Sequence, residues 1–571
     1  MSNINIKDSY DIVVIGAGVG GLTAASLLSK AGYSVVVVEM ASQAGGYLAG
    51  FHRNKFRFDT AIHWLNQCNP GGIVNTVFET IGTDYPHAIP QKRIKRYRGD
   101  HHDYLLTNNP DELKAQLQKE FPHEKSGIER FFKDAKVLGE RMYKWGSNVR
   151  SSETLKWYEK ASNGMKMLRF VLPFIQHVRF SGEEGLKKGL NRYFKDEKLH
   201  QFFSTEPDLL SCLIPIGWAY FGDFQNPPVG GGQAFPEWLS HVVKYYGNDI
   251  FFHSKVNKIL LDGDKAVGVE IDHRGTIYQV KSRYVLASCD VETLYEKMLP
   301  EAIVPTKLKD KLRNAVLYNS SLTISVALDC PPEQLGFGEE MIHISKQGIP
   351  RKDLSGGDPE KSEIIILAPS YRDKTMAPEG NGTITIFMPA RMEQFSNWKA
   401  EQDSEGNYVR GEAYNKLKEE IANVLIRRVE EQVAPELRSH ILFYDVATPI
   451  THYRYTGNKN GTMMGARPGK ENMQAKVAHY RTPVKHLILS GHWAELGGGV
   501  PIAVKAGFNA ALLVLKDEKP DVFNAFADYI NKKITAEQFR SLPFLKKYNN
   551  SWERKLTPAE LLAIRRSDKS L

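Results

Sequence analysis

Gly16, Gly18 and Gly21 form a G-x-G-x-x-G spacing, and Glu39 follows 21 residues beyond Gly18. Such a set can hold a dinucleotide. Gly16 permits a tight turn, Gly18 lets the backbone approach a pyrophosphate, and Gly21 lets a helix pack closely on a strand. Unpaired N–H groups at the helix start attract the phosphates. Glu39 would accept hydrogen bonds from ribose hydroxyls. Gly45 and Gly46 come soon after. They either let the chain run beside the ribityl-phosphate of a longer cofactor or form an ordinary glycine turn into a hairpin. A third motif spans Gly491-His492-Trp493 and Gly497-Gly498-Gly499-Val500-Pro501. It reads as a strand, a loop and a helix start, with Gly491, Gly498 and Val500 as cofactor contacts. A flavin becomes negative at its N1/C2=O edge on reduction, and a helix N-terminus stabilises that charge. Two such helix starts, at opposite ends of the chain, favour FAD over NAD.

The ionisable candidates divide less sharply. His492 and Glu495 flank the last glycine turn, and His492 is expected nearest the cofactor. His452 follows Thr448-Pro449-Ile450-Thr451, a turn facing a cavity or a plain loop scaffold. His63 is a candidate proton donor or a packed core histidine. Asp59 either orients the cofactor or caps the turn at Thr60. No metal set is expected, since His101-His102-Asp103 reads as a solvated loop.

These residues need a scaffold. Asp11–Ile15 and Ser34–Val38 are strand-like runs around a small-residue helix, Leu22–Ala31, that Gly32 stops. Both runs are nearly continuous in β-branched residues, as in a parallel sheet covered on both faces. Residues 90–220 show helical periodicity, 225–300 return to glycine turns and strands, and a long amphipathic helix is expected near 412–433. The predicted class is α/β, a Rossmann-like FAD-binding fold with an inserted α+β substrate domain. Residues 1–85, 225–300 and 478–520 make up the nucleotide domain. Residues 86–224 and 301–477 make up the substrate domain, and 521–571 a basic C-terminal extension.

The chain has 571 residues, 42% apolar and 25% charged, which excludes a disordered or collagenous protein. Lys plus Arg number 75 against 66 Asp plus Glu, a net charge of +9. Residues 141–180 hold eight Lys/Arg and two Glu, and residues 532–571 hold ten Lys/Arg and four Asp/Glu, so each carries +6. No nucleic-acid reader motif accompanies them. A negatively charged membrane surface is the expected partner. Met165–Ile175 is apolar and basic-flanked, too short to span a bilayer, and suited to its interface; a buried helix is the alternative. Leu542–Tyr548 repeats this character, as a second contact or as a packing arm. Four scattered cysteines with no CxxC suit a reducing compartment. No signal peptide is recognised, and a cytoplasmic, peripherally membrane-associated protein is expected.

Gly16 to Glu39, Gly45-Gly46, Phe58-Asp59-Thr60-Ala61-Ile62-His63, Ala447-Thr448-Pro449-Ile450-Thr451-His452 and Gly491 through Pro501 resemble the phytoene desaturase, carotenoid isomerase and retinol saturase family of FAD enzymes. The resemblance covers about residues 10–520 and is closest to the carotenoid isomerase and retinol saturase branch. Ala61, Tyr47 and His492 depart from the family's usual residues. The resemblance implies that Val256 lies at the adenine end. It also implies flavin redox chemistry at carbon–carbon bonds of a long apolar isoprenoid or polyene, by saturation or isomerisation, or by desaturation, with the electron partner unidentified. The alternatives are an amine-oxidase-like enzyme with a polar substrate, or a non-catalytic prenyl-binding escort protein of the same fold.

Overall fold

The computed structural model describes residues 6–555, apart from 63, 147, 204, 205, 347 and 405. Strand β1 (Ser9–Ile15), helix α1 (Val19–Lys30) and strand β2 (Val35–Val38) form the opening unit. Val13, Val14, Val35, Val36 and Val37 are wholly buried. That explains the continuous apolar runs, because both faces of these strands are covered. Each such side chain contributes about 1.5–3 kcal/mol. The sheet continues with β3 (Asp249–Phe251), β4 (Ser254–Asp262), β5 (Lys265–His273), β6 (Thr276–Ala287) and β7 (Leu487–Leu489). Five strands run parallel in the order β7-β6-β1-β2-β3. The long β6 also closes an antiparallel meander with β4 and β5. Helix α2 (Val500–Glu518) follows β7 and crosses α1. At the crossing, a methyl built on Gly507 would lie 2.1 Å from the Gly20 carbonyl oxygen. This close contact brings two helix N-termini to one end of the sheet.

A second sheet has seven strands, ordered Ile441–Ala447, Ser320–Leu328, Gly382–Ala390, Ile364–Leu367, Met341–Ile344, Arg93–Gly99 and His102–Thr107. Helix Glu412–Gln432 covers one face through Leu417, Ile421, Leu425 and Val429. Helices Pro110–Glu120, Lys125–Gly146 and Leu209–Tyr220 pack on the other. The strands of the first sheet fall within 1–85, 225–300 and 478–520, and those of the second within 86–224 and 301–477.

One expectation is corrected. The region read as helical from residue 90 opens with the hairpin Arg93–Gly99 and His102–Thr107, which completes the second sheet. His102 and Asp103 are therefore strand residues, and Asp103 pairs with Arg96 at 2.6 Å. The described residues of the C-terminal extension pack on the body. Val522, Phe523, Phe526 and Phe539 join the first core. Beyond them Tyr548 donates to Asp84 at 2.9 Å, and Arg554 pairs with Glu237 at 2.9 Å. Leu545 is buried and Lys546 N donates to Lys30 O at 2.9 Å, so Leu542–Tyr548 is a packing arm. The four cysteines are free.

Candidate functional site

A cleft of about 1250 Å³ opens at the C-terminal ends of β1, β2 and β6. It is the position where parallel sheets hold ligands, because the helix N-termini and loop N–H groups converge there. Of the residues named from sequence, Gly16, Gly18, Glu39, Gly45, Gly46, Val256, Gly491, His492 and Val500 line it. Gly18 caps α1 in an extended conformation, φ −68° and ψ 166°, and a methyl built on it would meet nothing within 4 Å. The backbone there faces open cleft. Gly21 does not line the cleft. A methyl on it would fall 2.3 Å from the Gly16 carbonyl oxygen, so its smallness seats α1 on β1.

Glu39 ends β2 and is 8% exposed. Its two oxygens accept from Ala17 N at 2.7 Å and Ala41 N at 2.8 Å. Burial raises its pKa, against the opposing pull of those N–H groups. Each oxygen keeps a lone pair for a hydroxyl donor.

At the other end, His492 lies between β7 and α2. Its Nε2 is buried and has no partner among the described residues. Burial lowers its pKa to about 4, so the ring is neutral at pH 7. Gly499 and Val500 open α2 beside it, and Met463 and Met464 face them across the cleft. A free glycine path, a carboxylate at a strand end, two convergent helix starts and an unpartnered imidazole nitrogen fit a long ligand with phosphate, ribose and an electron-accepting ring.

Other named residues lie elsewhere. Gly498 packs against Met464 instead of lining the cleft. Asp59 is 6% exposed and lines neither cavity. Its Oδ1 accepts from Gly232 N at 3.0 Å, and burial raises its pKa to about 6. Its place is to anchor the Gly230–Gly232 loop, because Gly231 passes too close to admit any side chain there. Glu495 accepts from the Tyr480 hydroxyl at 2.7 Å and pairs with Lys505 at 3.3 Å, outside both cavities. His63 lies outside the described residues.

His452 lines a second cavity of about 1810 Å³, which shares Glu39, Gly46, Tyr47, Tyr455 and Thr456 with the first. Thr448-Pro449-Ile450-Thr451 is a helix start, with Thr448 as N-cap and Pro449 in the first turn. His452 is thereby held 3.3 Å from Ser321 Oγ and against the Tyr47 ring. Burial lowers its pKa to about 4. The Tyr47 hydroxyl donates to Thr462 O at 2.7 Å, so this side chain forms the partition between the two cavities. Thr323 and Ser325 of the second sheet, Arg53, Arg410, Lys418 and Asp445 complete the second wall.

Sequence reading missed Ser288, Cys289 and Asp290, which line the cleft. They directly follow β6, and the rule that ligands gather at the C-terminal ends of parallel strands would have found them. Asp290 accepts from Glu292, Thr293 and Lys459 backbone N–H groups, and burial raises its pKa to about 6. Tyr455–Asn458 and Met463–Met464 carried no such signal. Away from the cleft, Asp329, Cys330 and His440 place their donor atoms within 4.8 Å of one another at an edge of the second sheet.

A family model described as flavin containing amine oxidoreductase matches residues 19–515. A zebrafish (Danio rerio) protein named all-trans-retinol 13,14-reductase is 24% identical over 535 residues, 86% of this chain and 84% of its own. A chloroplastic prolycopene isomerase 2 from an Oncidium hybrid cultivar is 26% identical over 493 residues, 81% of this chain and 76% of its own. Among solved structures, a redesigned putrescine oxidase aligns with a TM-score of 0.55 at 13% identity, covering 89% of this chain and 99% of its own. That likeness concerns the fold.

Proposed function

The chain belongs to the flavin containing amine oxidoreductase family, and we propose that it binds FAD and acts on carbon–carbon double bonds of a long apolar isoprenoid or polyene. The observation that carries this reading is the cleft where α1 and α2 present their N-termini at separate points along one path. In it, the N–H groups at Gly18–Gly20 bind the pyrophosphate, Glu39 holds the ribose, and Val256 packs at the adenine end. Gly499 and Val500 offer their N–H groups to the flavin's pyrimidine edge. Bound FAD supplies hydride exchange with a substrate carbon. His492 is neutral, so it acts as a hydrogen-bonding group beside the ring and not as a cationic acid. The names of the relatives, a retinol reductase and a prolycopene isomerase, support a retinoid- or carotenoid-like substrate and saturation or isomerisation over desaturation. Such a substrate dissolves in membranes, and the enzyme meets it at a bilayer surface.

The polar wall of the second cavity favours a polar substrate instead, as an amine oxidase would use. Arg53, Arg410 and Lys418 oppose that reading for a cationic amine, since only Asp445 and Glu39 offset them. Anaerobic incubation of the purified protein with retinoids, carotenoids and polyamines decides between them. A product heavier by two hydrogens shows saturation, and equal mass with altered geometry shows isomerisation. Turnover of polyamines alone overturns the polyene reading. A colourless protein that takes up no flavin overturns the enzyme and leaves the escort reading.

A further inference from the structure

We infer that helix Trp157–Val178 is a docking element that lies in the headgroup region of an anionic lipid leaflet and places the cofactor domain beside the membrane. This rests on the apolar-substrate reading and names the surface where that substrate is met. The helix has 22 residues, and His177 is the one fully buried among them. It touches the protein through a narrow stripe. Glu159, Asn163, Phe170, Phe174 and His177 recur at steps of three, four and seven, which is one helical face. At about 100° per residue, Leu168, Leu172 and Ile175 project from the opposite side. They are 53%, 55% and 53% exposed, and Val178, to one flank, is 61% exposed.

This surface is too apolar for water and too small to cross a bilayer. No helix among the described residues is long and apolar enough to span. An interfacial helix needs both an apolar face and flanking cations. Lys160, Lys166 and Arg169 lie along this one, and all are exposed. Its one acid, Glu159, is taken by Arg150 at 2.7 Å. The outward charge is therefore positive throughout. A second copy of the chain would bring like charges together across a two-fold interface, whereas an anionic leaflet complements them. Lys156 and Arg179 stand at the two ends of the helix and add to this charge.

A chain of contacts runs from the helix toward the cleft. Phe170 stacks on Trp145 with centroids 4.9 Å apart. The following residue, Gly146, abuts Gln67 so closely that a methyl on it would meet Oε1 at 2.0 Å. Five residues before Gln67, Ile62 lines the cofactor cleft.

The test is flotation of the flavin-loaded protein with phosphatidylcholine vesicles, with and without phosphatidylglycerol. The wild type is expected to float with anionic vesicles at low salt. The exposed triple variant Leu168→Ser/Leu172→Ser/Ile175→Ser should lose at least about tenfold in partitioning. Each of Lys160→Ala, Lys166→Ala and Arg169→Ala should cost about fivefold. Polyene turnover should fall in parallel when substrate is supplied in vesicles, and stay unchanged when it is dispersed in detergent. A wild type that does not float, or a triple variant that floats equally, overturns the inference. So does a dimer that the triple variant dissociates without any vesicle binding. If flotation succeeds and polyenes are not turned over in either form, the substrate reading fails while the docking surface stands.

Discussion

Two glycines three residues apart should fail in opposite ways. Gly18→Ala places its methyl where nothing lies within 4 Å, on a backbone already extended at φ −68° and ψ 166°. The flavin-free protein should keep its stability within about 0.5 kcal/mol. The methyl does occupy the approach to the pyrophosphate. Losing one or two hydrogen bonds to a charged group, at about 1.5–3 kcal/mol each, weakens flavin binding by at least about tenfold. Gly21→Ala gains about 1 kcal/mol in helix propensity. Its methyl would lie 2.3 Å from a backbone carbonyl oxygen, with Ser288 Cβ at 3.1 Å and Val14 Cγ1 at 3.2 Å. α1 must then back away from β1, at an overpacking cost of about 3 kcal/mol. The net loss of about 2 kcal/mol lowers the melting temperature of the flavin-free protein by about 2 °C at this chain length. Differential scanning fluorimetry without flavin and a flavin-fluorescence titration separate the two effects. If Gly18→Ala binds flavin like the wild type, the backbone there does not receive the phosphates. If flavin-free Gly21→Ala melts with the wild type, the close contact is not what seats the helix.

Asp59→Ala should strand the Gly232 N–H and cost about 1–3 kcal/mol in thermal stability, while the folded fraction keeps full flavin stoichiometry; a loss of flavin without a loss of stability would return Asp59 to the cofactor. His452 has a folded pKa of about 4, below the unfolded value near 6.5, so the unfolded chain binds the extra proton between those pH values. Its contribution, on the order of 3 kcal/mol, is present above pH 6.5 and lost as pH falls toward 4. His452→Asn should therefore flatten the acid limb of a melting-temperature profile, and an unchanged slope refutes the assignment. Cys289 lines the cleft with its thiol pKa raised to about 12 by burial. Maleimide should label it slowly in flavin-free protein and more slowly still once flavin is bound, as read by peptide mass; equal rates place the ligand elsewhere.

What was legible from the residues was whatever is local along the chain. Gly16 to Glu39 lie in one βαβ unit, so spacing alone places the turn, the helix start and the carboxylate within reach of one ligand. The strand after it and the glycine-rich start of α2 were readable for the same reason. What tertiary structure decided is pairing between distant segments. β6 lies beside β1 because Ile12–Ile15 pair with Tyr284–Ala287, and this carries Ser288–Asp290 into the cleft. Asp59 ends the strand Phe56–Asp59, and only the passage of Gly231 beside it sets its carboxylate on the Gly232 N–H, outside both cavities. Met165–Ile175 is apolar and basic in any conformation. Whether those side chains are core or surface depends on which stripe of the helix meets the protein, and the stripe through Phe170 and His177 leaves the others to face outward. Leu542–Tyr548 has a similar apolar-plus-basic composition and the opposite fate, because Asp84, the Lys30 carbonyl and the first core were within its reach. Residue chemistry sets what a segment can contact, and the packing of segments far apart in the chain selects which contact it makes.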